Sequence, residues 1–200
     1  LFAAEGGTPL DHAPIEPRDL VSLQSGARTF VNYCLNCHGA QYMRYNRLSD
    51  LGLTEAQIRD NLMFAAEKVG EAMTVAMTVK DGKAWFGVPP PDLSVIARSR
   101  GAERLYTYLR TFYRDEQTAS GWNNRVFANV AMPHVLWKLQ EEQTAVQYDR
   151  TVRDLVNFLV YLGEPAARSS KPIGIVVLFG LGGRFVFAYA MKKAFWKDVR

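Results

Sequence analysis

The 200-residue chain is poor in the residues that build disulfide scaffolds and zinc sites. It has two cysteines, Cys34 and Cys37, and three histidines, His12, His38 and His134. Two cysteines cannot form the disulfide framework of a small secreted domain. A closed zinc site needs four ligands, and only two histidines lie outside the run that holds the cysteines. Both classes of protein are therefore disfavoured.

The main part of the chain also lacks the excess of positive charge that binds nucleic acid. Residues 171–200 hold six Lys/Arg and one Asp, which leaves 18 basic and 19 acidic side chains, a net charge of −1, for residues 1–170. The formal net charge of +4 belongs to the C-terminal tail. We therefore expect no nucleic-acid partner. The length suits one domain with an appendage, and no internal repeat is present.

One long apolar run lies near the C-terminus. Residues 173–191 contain ten Leu, Ile, Val or Phe side chains and a single charge, Arg184. As a helix this run would be about 28 Å long, close to the roughly 30 Å hydrocarbon core of a bilayer. The sequence therefore predicts a transmembrane anchor over residues 171–200, with its core at residues 173–191. The alternative is a buried core helix.

The charges that flank the apolar run predict its orientation. More basic residues follow the run than precede it: Lys192, Lys193, Lys197 and Arg200 follow, whereas Arg168 and Lys171 precede. The positive-inside rule then places a short basic tail in the cytoplasm and residues 1–170 in the periplasm. The N-terminal LFAAEGG lacks the basic region and apolar run of a signal peptide, so we expect such a peptide to have been removed or left out, with small residues as its remnant.

Arg184 is costly near the middle of a membrane span unless it reaches the interface or meets a partner. Four glycines of the same run would let another helix approach closely: Gly174, Gly180, Gly182 and Gly183. We therefore expect a partner within the membrane.

Residues 1–170 predict a mainly α domain with long loops. Asp19 is placed to cap a helix with apolar positions as far as Cys34, and residues 54–57 form a capping box. The apolar pattern predicts further helices over residues 93–98, 102–113 and 144–162. Residues 69–87 fit a strand or an irregular loop, and residues 115–131 fit a loop.

The most informative motif is Cys34-Leu35-Asn36-Cys37-His38. Two cysteines at this spacing followed by histidine are typical of covalent c-type haem attachment. The alternative is a thiol redox pair, but no strand–helix frame of the thioredoxin type surrounds the motif. We predict one haem c, attached through Cys34 and Cys37, with His38 as the proximal iron ligand.

The second axial ligand decides what such a haem does. A methionine favours a higher-potential electron carrier, whereas an open position favours ligand binding or peroxidase chemistry. The candidates are the six methionines: Met43, Met63, Met73, Met77, Met132 and Met191. Met191 ends the membrane span and Met63 lies on an apolar helix face. Met132 lies in a loop stiffened by Pro133, and His134 competes with it, so the residues alone leave both open.

Four segments carry a resemblance to a known family: CLNCHGAQYMRYNRL at 34–48, PPDLSVIARSRGAERLY at 90–106, AMPHVLW at 131–137 and AFWKDV at 194–199. Together they resemble the cytochrome c1 family of bacterial type, the haem-bearing subunits of the quinol–cytochrome c oxidoreductase, or cytochrome bc1 complex. The resemblance implies a cytochrome c-like haem domain with one C-terminal transmembrane helix. It also implies thioether attachment at Cys34 and Cys37, with His38 as proximal and Met132 as distal ligand.

The resemblance implies further residues around the cofactor. Arg100 and Tyr106 fall where the family places partners of a haem propionate, and a buried propionate needs a charge-assisted donor and a hydroxyl. Pro90 and Pro91 are expected near the haem edge, and Trp85 is expected as a haem neighbour.

The resemblance implies an electron-transfer subunit that breaks no substrate bond itself. It would accept one electron from a Rieske iron–sulfur protein and pass it to a cytochrome c. Its expected place is beside cytochrome b in the cytoplasmic (inner) membrane, in contact with lipid and within a dimeric complex. The alternatives are the c-type subunit of a terminal oxidase and a membrane-anchored haem peroxidase.

Overall fold

The computed structural model describes residues 8–197 and divides into two compact units, Leu1–Pro165 and Ala166–Arg200. The expected signal-peptide remnant, residues 1–7, and the tail residue Arg200 lie outside the described range. The predicted limit of the periplasmic domain at residue 170 stays a prediction.

Helices dominate the first unit, and the predicted mainly α fold class is confirmed. In the described part they are α1 (Leu20–Thr29), α2 (Glu55–Leu62), α3 (Val79–Phe86), α4 (Ile96–Arg100), α5 (Ala102–Arg110), α6 (Trp137–Glu142) and α7 (Ala145–Gly163). A π-helical turn, Phe30–Cys34, continues α1, and a 3-10 helix spans Tyr45–Leu51. Two short antiparallel pairs join β1 (Ala40–Arg44) to β2 (Ala72–Met73) and β3 (Phe112–Arg114) to β4 (Trp122–Asn124).

The helices α1 and α7 cross in close contact at Gly26. A Cβ atom added to Gly26 would lie 2.0 Å from the backbone oxygen of Asp154, so no larger residue fits there. Ser22 Oγ donates a 2.8 Å hydrogen bond to Asp154, and Asn157 Nδ2 donates one of 3.0 Å to Ser22 Oγ. Apolar side chains without solvent exposure fill the same interface: Leu23, Ala27, Phe30, Val152, Leu155 and Phe158. This crossing fixes the helix that leads into the cysteine motif.

Three of the predicted helix starts are confirmed by their hydrogen bonds. The Asp19 carboxylate accepts from the backbone N–H groups of Val21 and Ser22 at the start of α1. Thr54 and Thr144 each form a complete capping box at the starts of α2 and α7. These caps satisfy backbone donors that a helix end otherwise leaves without a partner.

The structure differs from the predicted elements in the middle of the chain. Residues 69–87 contain β2 and then α3, whose first turn is capped by Thr78. The helix predicted over 102–113 is too long, because the chain leaves α5 at Arg110 to form β3. Its partner β4 lies inside the stretch predicted as a loop. The helix predicted over 93–98 begins and ends later, as α4.

The second unit is one long helix, α8 (Ala167–Phe195). Its segment Pro172–Phe195 has 24 residues, and the most apolar 18-residue window in it has a mean hydropathy of 1.9 and is 0% buried. A core helix of a soluble domain would be mostly buried. The predicted C-terminal apolar helix is therefore confirmed as one that is long and apolar enough to cross a membrane.

Candidate haem-binding site

The π-helical turn at the end of α1 brings the motif's three reactive side chains together. The backbone oxygen of Cys34 accepts hydrogen bonds from the N–H groups of Cys37 and His38, at 3.1 and 2.8 Å. Cys34 is buried and Cys37 is partly exposed. The two thiols and the imidazole thus lie within one turn of chain.

Both thiols are free and resist ionisation. Burial, with a smaller effect of Cys37, raises the pKa of Cys34 to about 12, and burial also raises the pKa of Cys37. Thiol redox catalysis instead needs a cysteine whose pKa is lowered. The environment therefore argues against the thioredoxin-type alternative.

The imidazole of His38 has one nitrogen committed and one available. Its Nδ1 lies 2.7 Å from the backbone oxygen of Pro91. A carbonyl oxygen only accepts, so Nδ1 carries the proton and Nε2 keeps its lone pair. Burial is the largest effect on the pKa of His38 and lowers it, which favours the neutral ring. A metal-binding histidine typically has this arrangement, with the second nitrogen oriented by a backbone carbonyl.

The Pro90–Ser94 segment is tied to the residues that follow His38. Leu93 N–H donates to the Gly39 oxygen at 2.7 Å, and Gln41 N–H donates to Asp92 Oδ2 at 2.9 Å. The other oxygen of this carboxylate, Asp92 Oδ1, accepts a hydrogen bond from Ser94 N–H at 2.8 Å. The Asp92 carboxylate therefore joins two segments of the chain, because Gln41 and Asp92 are 51 positions apart in sequence.

A solvent-open cleft lies beside the motif. Its lining is largely apolar and includes Cys37, Gly39, Val75, Met77, Pro89 and Pro90. The proline segment packs directly on α3, since a Cβ added to Gly82 would lie 2.7 Å from Pro90 Cδ. Trp85, on the same helix, is 67% exposed and meets Phe86 edge to face. The structure thus brings Pro90 and Pro91 to the motif and leaves Trp85 exposed.

Met132 is partly buried and accepts a hydrogen bond from Tyr108. The Tyr108 hydroxyl lies 3.4 Å from Met132 Sδ. Burial strongly raises the pKa of Tyr108, so its hydroxyl stays protonated as a donor. No hydrogen bond or ion pair joins Met132 to His38 within residues 8–197.

His134, the competing ligand, is part of the core. It is 2% exposed, its ring stacks on Phe112 at 4.7 Å, and Trp122 meets it edge to face at 4.8 Å. Its Nε2 is hydrogen-bonded to Gln140 Oε1 at 2.5 Å. These contacts give His134 a packing role among aromatic rings, and the choice between Met132 and His134 as ligand stays a prediction.

The other methionines are less suited to reach a cofactor. Met43 and Met73 are core residues, 2% and 0% exposed. Met63 packs against the core, and Met191 lies in α8. Met77 lines the cleft beside Cys37 and is the nearest rival to Met132.

Arg100 and Tyr106 lie in different environments. Arg100 ends α4 and is exposed, and its guanidinium has no hydrogen bond or ion pair to any residue that the structure describes. Tyr106 is buried, and the Arg110 guanidinium lies 4.7 Å from its ring centroid. Arg110 in turn binds Asp149 through two hydrogen bonds of 2.6 and 2.9 Å. No hydrogen bond or ion pair joins the two predicted propionate partners in the part of the chain that the structure describes.

The residues present fit a c-type haem. Two free thiols precede an imidazole whose Nε2 lone pair is available, and a thioether with an oriented sulfur lies in a second loop. The sequence interpretation missed Tyr108, which it used only as an apolar position of α5. The signal was available, because a tyrosine on a buried face needs a partner for its hydroxyl.

A mainly helical domain with one such motif, followed by a membrane-length apolar helix, defines the class of membrane-anchored c-type cytochromes. Comparison with known families then gives the particular family. The model of the cytochrome C1 family matches residues 12–199, and the chain belongs to this family. The resemblance stated from the sequence is confirmed.

Individual relatives agree with this result over nearly the whole chain. The chain is 45% identical to cytochrome c1 of Allochromatium vinosum, covering 100% of this chain and 93% of that protein. It is 51% identical to a protein of Nitrosomonas europaea named ammonia monooxygenase gamma subunit, covering 95% and 88%. Cytochrome c1 of Rhodospirillum rubrum is 28% identical, covering 91% and 83%. Membership supports a haem-bearing electron-transfer subunit of the membrane-anchored cytochrome bc1 complex.

Proposed function

We propose that this chain accepts one electron from a Rieske iron–sulfur protein and passes it to a cytochrome c. It would carry one haem c, bound through Cys34 and Cys37, with His38 and Met132 as the iron ligands. When bound, the haem supplies the one-electron chemistry, and the chain supplies binding, orientation and shielding. The observation that carries the proposal is the hydrogen bond from His38 Nδ1 to the Pro91 oxygen, which leaves Nε2 available.

The fold gives His38 one orientation. The Pro91 carbonyl fixes the tautomer and the ring plane, and Asp92 ties that segment to Gln41. A rigid ligand limits the rearrangement that accompanies a change in iron charge. The role that we assign to Asp92 and Pro91 is to keep the imidazole in place in both oxidation states.

The remaining predicted site residues have supporting roles in the proposal. Pro90 and Pro91 cover the haem edge beside the cleft, with Trp85 as a neighbour. Arg100 and Tyr106 hold a propionate, and the free, exposed guanidinium of Arg100 is available for this role. The guanidinium of Arg110 lies over the Tyr106 ring and helps to hold it in place.

The proposed place of the chain is the cytoplasmic membrane, with the haem domain in the periplasm and the C-terminus in the cytoplasm. Helix α8 crosses the bilayer beside cytochrome b, within a dimeric complex. The position of Arg184 supports the presence of a protein neighbour in the membrane. At 1.5 Å per residue, Arg184 lies about 17 Å from either end of the span Pro172–Phe195, and a charge at this depth is costly in lipid.

The experiment compares the full chain, produced in cells that mature c-type haem, with its variants Met132→Leu and Met77→Leu. Mixed with reduced Rieske protein, the unmodified protein should be reduced rapidly and should then reduce cytochrome c. Met132→Leu should change the reduction potential, and Met77→Leu should leave it unchanged. Ready binding of carbon monoxide by the unmodified ferrous protein would instead support the peroxidase alternative.

A second candidate function is a subunit of a different membrane oxidoreductase. The observation that favours it is the name of the 51% identical relative, an ammonia monooxygenase gamma subunit. Affinity purification of the tagged chain from native membranes separates the two. Recovery of cytochrome b with the Rieske protein supports the first proposal, and recovery of another oxidoreductase without them supports the second.

A further inference from the structure

The hydroxyl of Tyr108 donates a hydrogen bond to Met132 Sδ over 3.4 Å, between residues 24 positions apart. We propose that this bond controls how strongly the Met132 sulfur donates to the iron, and that it raises the reduction potential of the haem. Tyr108 would then be a positioning residue for electron transfer. The inference rests on the proposed assignment of Met132 as the distal ligand.

The tyrosine ring is held firmly enough to direct its hydroxyl. Phe112 meets the Tyr108 ring edge to face at 5.1 Å, and the His134 ring in turn stacks on Phe112. Asn124 Nδ2 donates a 2.7 Å hydrogen bond to the Tyr108 backbone oxygen. His134 and Asn124 both lie on the chain segment that contains Met132. The donor and the acceptor are therefore fixed by one connected set of contacts.

The electronic effect of the hydrogen bond follows from the chemistry of a thioether. Its sulfur has two lone pairs, so one can bind iron while the other accepts a proton donor. A donor on the second lone pair withdraws electron density from the sulfur. The ferric state needs this density more than the ferrous state, so the bond favours the ferrous state. Hydrogen bonds to metal ligands tune potentials in this way.

The test is the variant Tyr108→Phe, in the full haem-loaded chain in detergent. It removes the hydroxyl and keeps the ring that packs on Phe112. At a fixed applied potential, the ratio of ferrous to ferric protein should fall roughly two- to tenfold, the order of change that the loss of one hydrogen bond can produce. The absorption band that reports iron–methionine coordination in the ferric protein should remain.

Tyr148→Phe is the matched control. Tyr148 is also buried, and its hydroxyl donates a 2.9 Å hydrogen bond to the backbone oxygen of Leu109, on α5 beside Tyr108. The variant Tyr148→Phe removes a comparable hydrogen bond at the same helix and leaves the contact of Tyr108 with Met132 unchanged. Its ferrous-to-ferric ratio should equal that of the unmodified protein, and an equal fall in both variants would overturn the inference.

The variant Met132→Leu separates the inference from the ligand assignment. In the Met132→Leu background, Tyr108→Phe should cause no further fall in the ratio, because the acceptor is gone. The same fall in both backgrounds overturns the inference. An unchanged ratio in Tyr108→Phe, with a changed ratio in Met132→Leu, also overturns it but leaves the proposed ligand in place. If Met132→Leu changes neither ratio nor band, the ligand assignment fails, and the inference with it.

A measurement on the unmodified protein covers the case in which Tyr108→Phe binds no haem. In the ferrous protein, the Tyr108 hydroxyl proton should exchange slowly and show a nuclear Overhauser effect to the Met132 methyl group. The absence of this proton signal would overturn the inference.

Discussion

His38 Nδ1 and the backbone oxygen of Pro91 lie 2.7 Å apart, although 53 positions separate the two residues. This hydrogen bond links the turn that carries both thiols to the proline segment that faces the cleft. It decides which imidazole nitrogen can bind a metal. The side chain of Asp92 holds the same two segments together, so the geometry of His38 depends on this carboxylate as well.

Asp92→Ala should therefore destabilise the haem domain. It removes the acceptors of the Gln41 and Ser94 N–H groups, and leaving two backbone donors with a weaker partner costs about 1–3 kcal/mol. Denaturant unfolding of the full chain, followed by circular dichroism, measures the change. Asp60→Ala, at an exposed helix position, is the control and should change the free energy of unfolding by less than about 0.5 kcal/mol.

Gly26→Ala should separate α1 from α7. The added methyl group would lie 2.0 Å from the Asp154 oxygen, a rigid backbone atom, and 2.7 Å from Phe158 Cβ. We expect a loss of about 3 kcal/mol and poor recovery of haem-loaded protein. Gly70→Ala is the control, since no atom lies within 4 Å of its added carbon. Equal stability of the two variants would contradict the close crossing.

The hydrogen bonds of the Asp115 carboxylate should make the stability of the β3–β4 hairpin depend on pH. Asn123 Nδ2 and then Gln117 N–H donate to this carboxylate and lower its pKa below the usual 3.8. The folded state therefore binds fewer protons than the unfolded state, and stability falls as pH falls. The contribution of Asp115 to stability is complete above about pH 4, and it is lost as the pH falls through the lowered pKa of the folded state.

Thermal unfolding between pH 5 and pH 2 tests this dependence in Asp115→Asn. Its Tm should fall less steeply below pH 4 than that of the unmodified protein. Asp60→Asn should keep the unmodified slope. A parallel decline of all three proteins would show that Asp115 is not responsible.

Arg184→Leu should uncouple membrane insertion from assembly. Removing the charge favours insertion by about 3 kcal/mol, so the variant should remain in the membrane fraction. It should recover less cytochrome b in affinity purification, because the proposed partner recognises Arg184. Val186→Leu, in the same span, should assemble normally. Full recovery of the complex with Arg184→Leu would show that Arg184 has no partner there.

Local signals in the sequence predicted the parts of the fold that depend on neighbouring residues. The caps at Asp19 and Thr54 form within three or four residues, so their side-chain types are sufficient. The three-residue strands β3 and β4 were missed because so short a run has no readable period. Because β3 begins at Phe112, the helix α5 ends earlier than its apolar pattern suggests.

In the candidate site too, the local features could be predicted from the sequence and the contacts between distant residues could not. The cysteine motif is contiguous in the chain and was predicted from its spacing alone. The contact of Tyr108 with Met132 and the packing of His134 on Phe112 join distant residues. No pattern along the chain encodes such pairs, so the residues alone left Met132 and His134 open, and only the family resemblance favoured Met132.

Intact mass spectrometry of the full chain under denaturing conditions is the most direct test of the central claim. The chain is purified from cells that attach c-type haem, and Cys34→Ala with Cys37→Ala serves as the reference. We predict that the unmodified polypeptide carries the added mass of one haem after denaturation and that the double variant carries none. An unmodified polypeptide at its bare mass, without colour, would contradict covalent haem attachment and the electron-transfer function built on it.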